Sequence, residues 1–206
     1  MTAVLDTIRN RLGAGKVLTE AAAVADRRHD YWMISALRDM FGGAAPSPLG
    51  VVRPTSVAEV QDVVRIANAT RTPLIPFGLG SGVVGGVIAA PDALVLDLGG
   101  LNAVRFIDPV NLLAGFDAGH NGLAAEEAVA ARGLTIGHWP QSVAVSSVGG
   151  WVATRASGQF STAYGNIEDI VYSVEVVLPD GELVTLGRGR RASAGPDLRH
   201  LILGSE

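Results

Sequence analysis

The hydrophobic positions of the chain change period several times, and the changes mark out its elements. Val57, Val60, Val63, Val64 and Ala67 recur at the three-and-four spacing of one helix face. Ser56 precedes them and Glu59 follows three residues later, the order of an N-cap and a capping box, so a helix is predicted over 57–70. Upstream, residues 1–45 read as helical. Ala21–Met40 is rich in Ala, Leu, Met and charged residues, and Gly42-Gly43 follow as a stop. Pro46 and Pro48 mark a connector. Apolar runs at Thr72–Phe77, Ala93–Leu98 and Leu112–Phe116 predict strands. Asn121 stands where it caps a helix over 122–132, closed by Gly133. Residues 134–150 carry no period and are expected to be irregular. Ile170–Leu178 is a run of β-formers, and "PDGE" at 179–182 turns it into Leu183–Leu186, the clearest hairpin signal in the chain. Asp197–Leu203 reads as a short helix. No internal repeat is found.

Composition narrows the class. The chain has 206 residues, enough for one large domain or two small ones that share an interface. An apolar content of 48% with 17% charged residues is that of a folded chain rather than a disordered one. A net charge of −4 argues against a general nucleic-acid binder. There are no cysteines, which excludes disulfides and thiolate metal sites, and the histidines and carboxylates show no ligand spacing, so no metal is expected. Residues 1–10 include Asp6 and Arg9 and lack an apolar leader, and no apolar run is long enough to span a membrane. A cytoplasmic location is the expectation. Glycine stands out: 26 residues, against an average of about 7%, imply many places of positive φ or close backbone approach.

Those glycines gather. Residues 78–86, "GLGSGVVGG", follow a predicted strand, and Gly80-Ser-Gly82-Val-Val-Gly85 matches G-x-G-x-x-G, with Asp97 ending the next strand where a dinucleotide-binding acid is expected. A nicotinamide-binding Rossmann domain therefore competes. The spacing opposes it, because only "GVIAAPD" separates Gly85 from the next strand, too short for a crossover helix and interrupted by Gly86 and Pro91. The loop can still hold phosphate, since successive N–H groups in a glycine-permitted turn form a concave anion site. A tight turn with no ligand explains the same residues.

A second polar, small-residue stretch is "PQSVAVSSVGGWVATRASG" at 140–158. It brings hydroxyls at Ser142, Ser146, Ser147, Thr154 and Ser157, the Arg155 guanidinium, and backbone amides around Gly149-Gly150 that are expected to be exposed. Two such surfaces suit a long ligand with a charged middle and two aromatic ends.

"PFGLGSGVVGG", "GHWPQSVAVSSVGGWVATRASGQFSTAYGNIEDIV", "VVLPDGELV" and "GPDLRHLILGSE" together resemble the FAD-binding domain of the vanillyl-alcohol oxidase/PCMH flavoprotein superfamily. Within it the likeness is to the alkyldihydroxyacetonephosphate (alkylglycerone-phosphate) synthase-like proteins and bacterial FAD-linked oxidases, over about residues 50–206. The resemblance implies an α+β fold, a PCMH-type FAD-binding domain of two α/β subdomains at about 46–115 and 116–206. A helical extension over 1–45 precedes them. By the same resemblance the cap domain is expected to be absent and the chain to be a fragment truncated at its C-terminus.

By position, the resemblance places Pro76, Phe77, Gly78, Leu79, Gly80, Ser81 and Gly82 around the FAD pyrophosphate. Gln141, Ser142, Val143, Ala144, Val145, Ser146 and Ser147, with Gly149 and Gly150, continue along the cofactor. Thr154, Arg155, Ala156 and Ser157 lie near its flavin or ribityl part, and Gly204, Ser205 and Glu206 begin a further contact motif. His138, in "GHWP", falls where activity-critical residues are found in the family. Trp151 and Tyr164 are expected to pack behind the loop as anchors. Leu79 stands where relatives often have Gly, and Trp139 and Gln141 depart from the acidic pattern of the eukaryotic ether-lipid enzymes. No histidine lies in the glycine loop, so FAD is expected to bind non-covalently.

The implied activity is that of a flavin-dependent oxidoreductase acting on a small molecule, the flavin accepting a hydride from a hydroxyl-bearing substrate or forming an adduct with an acyl-bearing one. A homodimer is compatible with it. A non-catalytic FAD- or nucleotide-binding module is the rival of another class. His138 and His120 each have a structural reading as hydrogen-bonded side chains. Arg155 can neutralise an anion or pair with Glu168 or Asp169. Arg188, Arg190 and Arg191 read as a solvated basic loop or as a contact for an anionic ligand.

Overall fold

A computed structural model of the chain describes residues 2–43, 46–187 and 195–206. The basic run at Arg188, Arg190 and Arg191 lies outside the described residues. The chain divides into two compact units: one through Leu101 with Val177–Glu182, the other Asn102–Val176 with Leu183–Glu206.

In the first unit, α1 (Thr2–Leu12) is followed by β1 (Val17–Leu18), α2 (Ala21–Ala25) and α3 (Met33–Met40). Then come β2 (Gly50–Val52), α4 (Val57–Thr70), β3 (Leu74–Phe77) and β4 (Leu94–Asp97). The strands form a mixed sheet in the order β1-β2-β4-β3, with β2, β4 and β3 parallel and β1 antiparallel to β2. Strand alternation sends neighbouring residues to opposite faces. Val52, Leu94 and Leu96 pack with Val4, Leu5 and Ile8 of α1 and Val60 and Val63 of α4, while Val51, Val95 and Phe77 pack with Val24 and Ala89. Covering both faces explains why these strands read as continuous apolar runs. Helix α4 begins as foreseen: Ser56 Oγ accepts from Glu59 N at 3.3 Å, and the Glu59 carboxylate turns back to Thr55 N at 2.8 Å.

The expectation that residues 1–45 are helical fails at two points. Val17 and Leu18 pair with Val52 and Val51, so the segment supplies an edge strand of the sheet. Residues 26–32 interrupt the helix predicted over 21–40, because the Asp30 carboxylate accepts from Trp32 N at 3.0 Å and turns the chain there.

The second unit opens with the antiparallel pair β5 (Val104–Asp108) and β6 (Leu113–Phe116). The predicted division near 115 falls inside β6; the units divide at Leu101/Asn102, which keeps this hairpin whole. Next come α5 (Gly122–Ala130), α6 (Val148–Ala153), α7 (Ser161–Tyr164) and α8 (Ile167–Ile170). The strands β7 (Val174–Val177) and β8 (Leu183–Leu186) pair as a two-stranded sheet. Asn121 Oδ1 caps α5 through Ala124 N at 3.1 Å. The strand predicted over 170–178 is shorter: Ile170 closes α8 and residues 171–173 are irregular. Residues 134–147 are irregular apart from a short 3₁₀ turn at Val143–Val145, but 148–150 open α6, with Ser147 as N-cap. Trp151, Ile167 and Leu203 form the core here.

Candidate functional site

Strand β3 delivers the chain into residues 78–86, which form bends and open no helix. Gly80 and Gly85 have φ of +70° and +81°. Side-chain space, too, demands glycine. A Cβ on Gly80 would stand 2.7 Å from Phe77 Cζ, one on Gly82 3.0 Å from Asp30 Oδ2, and one on Gly85 2.8 Å from Trp32 Cε3. These glycines therefore face the protein's own side chains, and the aromatic ring of Phe77 belongs to the core. The ligand-side feature is different. Among the described residues, the backbone N–H groups of Leu79, Gly80, Ser81 and Gly82 make no hydrogen bond to protein, and neither does the Ser81 hydroxyl. Four successive free amides suit an anion such as a diphosphate.

The loop is held from behind. Tyr31 N donates to Gly82 O at 2.8 Å, Ala89 N donates to Arg28 O at 3.1 Å, and Gly85 N donates to Asp30 Oδ2 at 3.0 Å. Asp30, buried to 2% exposure, was not singled out in the sequence, where no period or motif marks it. Asp97 does not play the part of a ribose-binding acid. It is buried, accepts from Gly99 N at 2.8 Å and pairs with Arg27 at 2.6 Å. With no crossover helix and no free acid, the Rossmann alternative is removed.

In the second unit the structure brings two predicted groups together. Helix α6 ends at Ala153, and Thr154–Ser157 follow it. The C-terminal residues lie against the same turn: Gly204 N donates to Val152 O and Glu206 N to Ala153 O, each at 3.0 Å. Gly204 also stands close to Arg155, whose Cβ lies 3.1 Å from an added Cβ. Arg155 takes φ of +52° and bonds Glu168 Oε1 through Nε at 3.0 Å, the ion-pair alternative; its Nη atoms make no bond among the described residues. Thr154 Oγ1 donates to Gly150 O at 2.8 Å and Ser157 Oγ to Asn166 Oδ1 at 2.7 Å.

Segment 141–150 corrects one expectation. The amides of Gly149 and Gly150 are engaged, by Ala118 O at 2.8 Å and Ser147 Oγ at 3.2 Å. Gly149 is small because a Cβ would meet Ala118 at 2.7 Å. Ser146 is buried and accepts from Trp151 Nε1 at 2.8 Å. Gln141, Ala144 and Val145 are exposed, and Ser142 and Val143 half-buried. Trp151 is an anchor, buried to 3%, whereas Tyr164 stays half exposed, its ring lying over Gly137.

His138 follows Gly137, whose φ is +76°. Its ring is 1% exposed and meets Trp151 edge-on at 4.7 Å. Neither ring nitrogen has a partner among the described residues, so the hydrogen-bonded structural reading does not apply. Burial lowers its pKa from the usual imidazole value and keeps it neutral. His120 does take its structural reading, with Nδ1 2.5 Å from Asn102 O and the ring stacked on Phe116.

Residues 48–187 match the profile of a family described as an FAD binding domain. The chain belongs to this family of FAD-binding domains. It is 35% identical to an uncharacterized FAD-linked oxidoreductase, YgcU, of Escherichia coli strain K12, over 99% of this chain and 42% of that protein. A solved alkyldihydroxyacetonephosphate synthase superimposes with a TM-score of 0.90 at 28% identity, covering all of this chain and 38% of the other. A p-cresol methylhydroxylase shares the fold, with a TM-score of 0.79 at 20% identity over 98% of this chain and 40% of the other. The α+β, PCMH-type architecture of this FAD-binding domain is thereby established, and the chain spans less than half the length of these proteins. No helix among the described residues is long and apolar enough to cross a membrane.

Proposed function

We propose that this FAD-binding domain serves a flavin-dependent oxidoreductase acting on a small, hydroxyl-bearing substrate. The observation that carries the reading is the row of free amides from Leu79 to Gly82 at the end of a parallel strand, a site chemically suited to a diphosphate. Pro76 to Gly82 then surround the diphosphate, with Phe77 acting from the core as a floor for Gly80. In the second unit, Gln141–Ser147, Thr154–Ser157 and Gly204–Glu206 supply the remaining contacts. Gly149 and Gly150 contribute close approach rather than N–H groups, because their amides are spent within the protein.

Bound FAD supplies two-electron redox chemistry; the protein binds, orients and handles protons. Arg155 keeps two Nη groups for an anion while Glu168 fixes its Nε. Neutral His138 keeps one unprotonated ring nitrogen without a partner, able to accept a proton from a reacting hydroxyl. With no histidine in the loop, the cofactor is held non-covalently. The oxidoreductase class follows the E. coli relative; the likeness to the synthase supports a second reading, exchange of an acyl for an alkyl group on the substrate.

Absorbance tests the reading. The purified protein is expected to be yellow, to release about one FAD per chain in acid, and to lose its flavin colour when mixed anaerobically with a hydroxyl-bearing substrate. Colourless protein that takes up no added FAD contradicts the proposal. Flavin that stays oxidised with hydroxyl substrates but supports acyl exchange moves the chemistry to the second reading.

A further inference from the structure

We propose that Asp30 is a positioning residue for the diphosphate loop, an inference that rests on reading that loop as the FAD site. Its carboxylate is 2% exposed and accepts two backbone N–H groups, Trp32 N through Oδ1 and Gly85 N through Oδ2, each at 3.0 Å. A carboxylate is acceptor-only at both oxygens, so it suits two converging donors, and bonds to an ionised acceptor are the stronger kind. Around it the same short segment grips the loop three more times. Tyr31 N holds Gly82 O, Arg28 O receives Ala89 N, and the Trp32 ring lies under Gly85.

The loop has little else to fix it. Leu79 to Gly82 use none of their amides internally, and Gly80 and Gly85 sit at positive φ, where glycine is freest. A glycine loop without a clamp loses its conformational entropy only when ligand arrives, and affinity falls by that amount. Asp30 settles part of that cost beforehand by fixing Gly85, while its neighbour Tyr31 holds Gly82 through the backbone. Its part is to position the loop through the backbone that follows the free amides, at Gly85. Asn at position 30 offers one acceptor oxygen and no charge, and Ala offers neither, which sets the order of effects.

The experiment measures FAD dissociation constants by flavin fluorescence for apo wild type, Asp30→Asn and Asp30→Ala. It also follows the melting temperature of each apo protein and the absorption spectrum of each at saturating FAD. Asp30→Asn is expected to weaken FAD by about tenfold, the equivalent of one charge-assisted hydrogen bond, and Asp30→Ala by more. The saturated flavin spectra are expected to coincide, because Asp30 acts on the loop and not on the ring. Hydrogen exchange on apo wild type supplies a measurement free of folding defects: the Gly85 amide exchanges slowly and those of Leu79–Gly82 quickly. Folded Asp30→Asn with wild-type affinity, or a Gly85 amide that exchanges as fast as its neighbours, overturns the inference while the FAD reading stands. Wild type that binds no FAD overturns the FAD reading, and this inference with it.

Discussion

A buried histidine with two unbonded nitrogens is costly, since each unsatisfied polar atom loses about 1–3 kcal/mol of solvation. His138 is in that position, edge-on to Trp151. Replacing it with Phe keeps an aromatic ring and drops both nitrogens. His138→Phe is expected to hold or raise the apo melting temperature while substrate turnover falls; a lower melting temperature with unchanged turnover would return the ring to a packing role. Its pH dependence has a definite sign. Burial lowers the folded pKa, so below the unfolded imidazole value of about 6.5 the unfolded chain binds a proton that the native state refuses. Stability falls as pH drops through that window and levels off below the folded value. The difference between wild-type and His138→Phe melting curves, recorded against pH, is expected to show this fall in the wild type alone. At Gly82, a Cβ points at the Asp30 carboxylate, so a Glu there sets a second carboxylate against the group that holds the loop. Gly82→Glu is expected to abolish FAD retention in gel filtration while far-UV circular dichroism stays native.

Elements whose signals are local could be read from the sequence. Helix α4 announced itself through apolar spacing and Ser56, and Ser56→Ala is expected to cost about 1 kcal/mol in urea denaturation. Strand β5 left no such trace. Its alternation puts Val104 and Phe106 on the surface, at 40% and 53% exposure, so its pairing with β6 shows no apolar face in sequence. Its turn also lacks the usual glycine. Leu112 takes φ of +55° there while 71% exposed, with Asp108 bonding Val110 N and Asn111 N at 3.0 Å. Leu112→Gly is expected to stabilise the protein by roughly 0.5–1 kcal/mol by relieving that backbone, read as a higher melting temperature. Helix α6 was hidden for the opposite reason: Gly149 and Gly150 argue against a helix, yet close packing on Ala118 and the Ser147 cap require one. In the candidate site, the glycine loop was legible as a loop, but not the reason for its glycines. Gly80, Gly82 and Gly85 answer to Phe77, Asp30 and Trp32, and two of those partners lie about fifty residues away in sequence.

At the scale of the whole molecule, each unit contributes a different kind of surface. The first offers amides without acceptors at the end of β3, the edge strand of a mixed sheet. The second gathers Thr154–Ser157 and Gly204–Glu206 around the end of α6, over a core centred on Trp151. Titration of the protein with FAD, followed residue by residue through backbone amide resonances, tests the central claim most directly. The account predicts saturation near one FAD per chain, with the Leu79, Gly80, Ser81 and Gly82 amides among those shifted and slowed in exchange. FAD that binds without touching those four amides, or that does not bind, contradicts it.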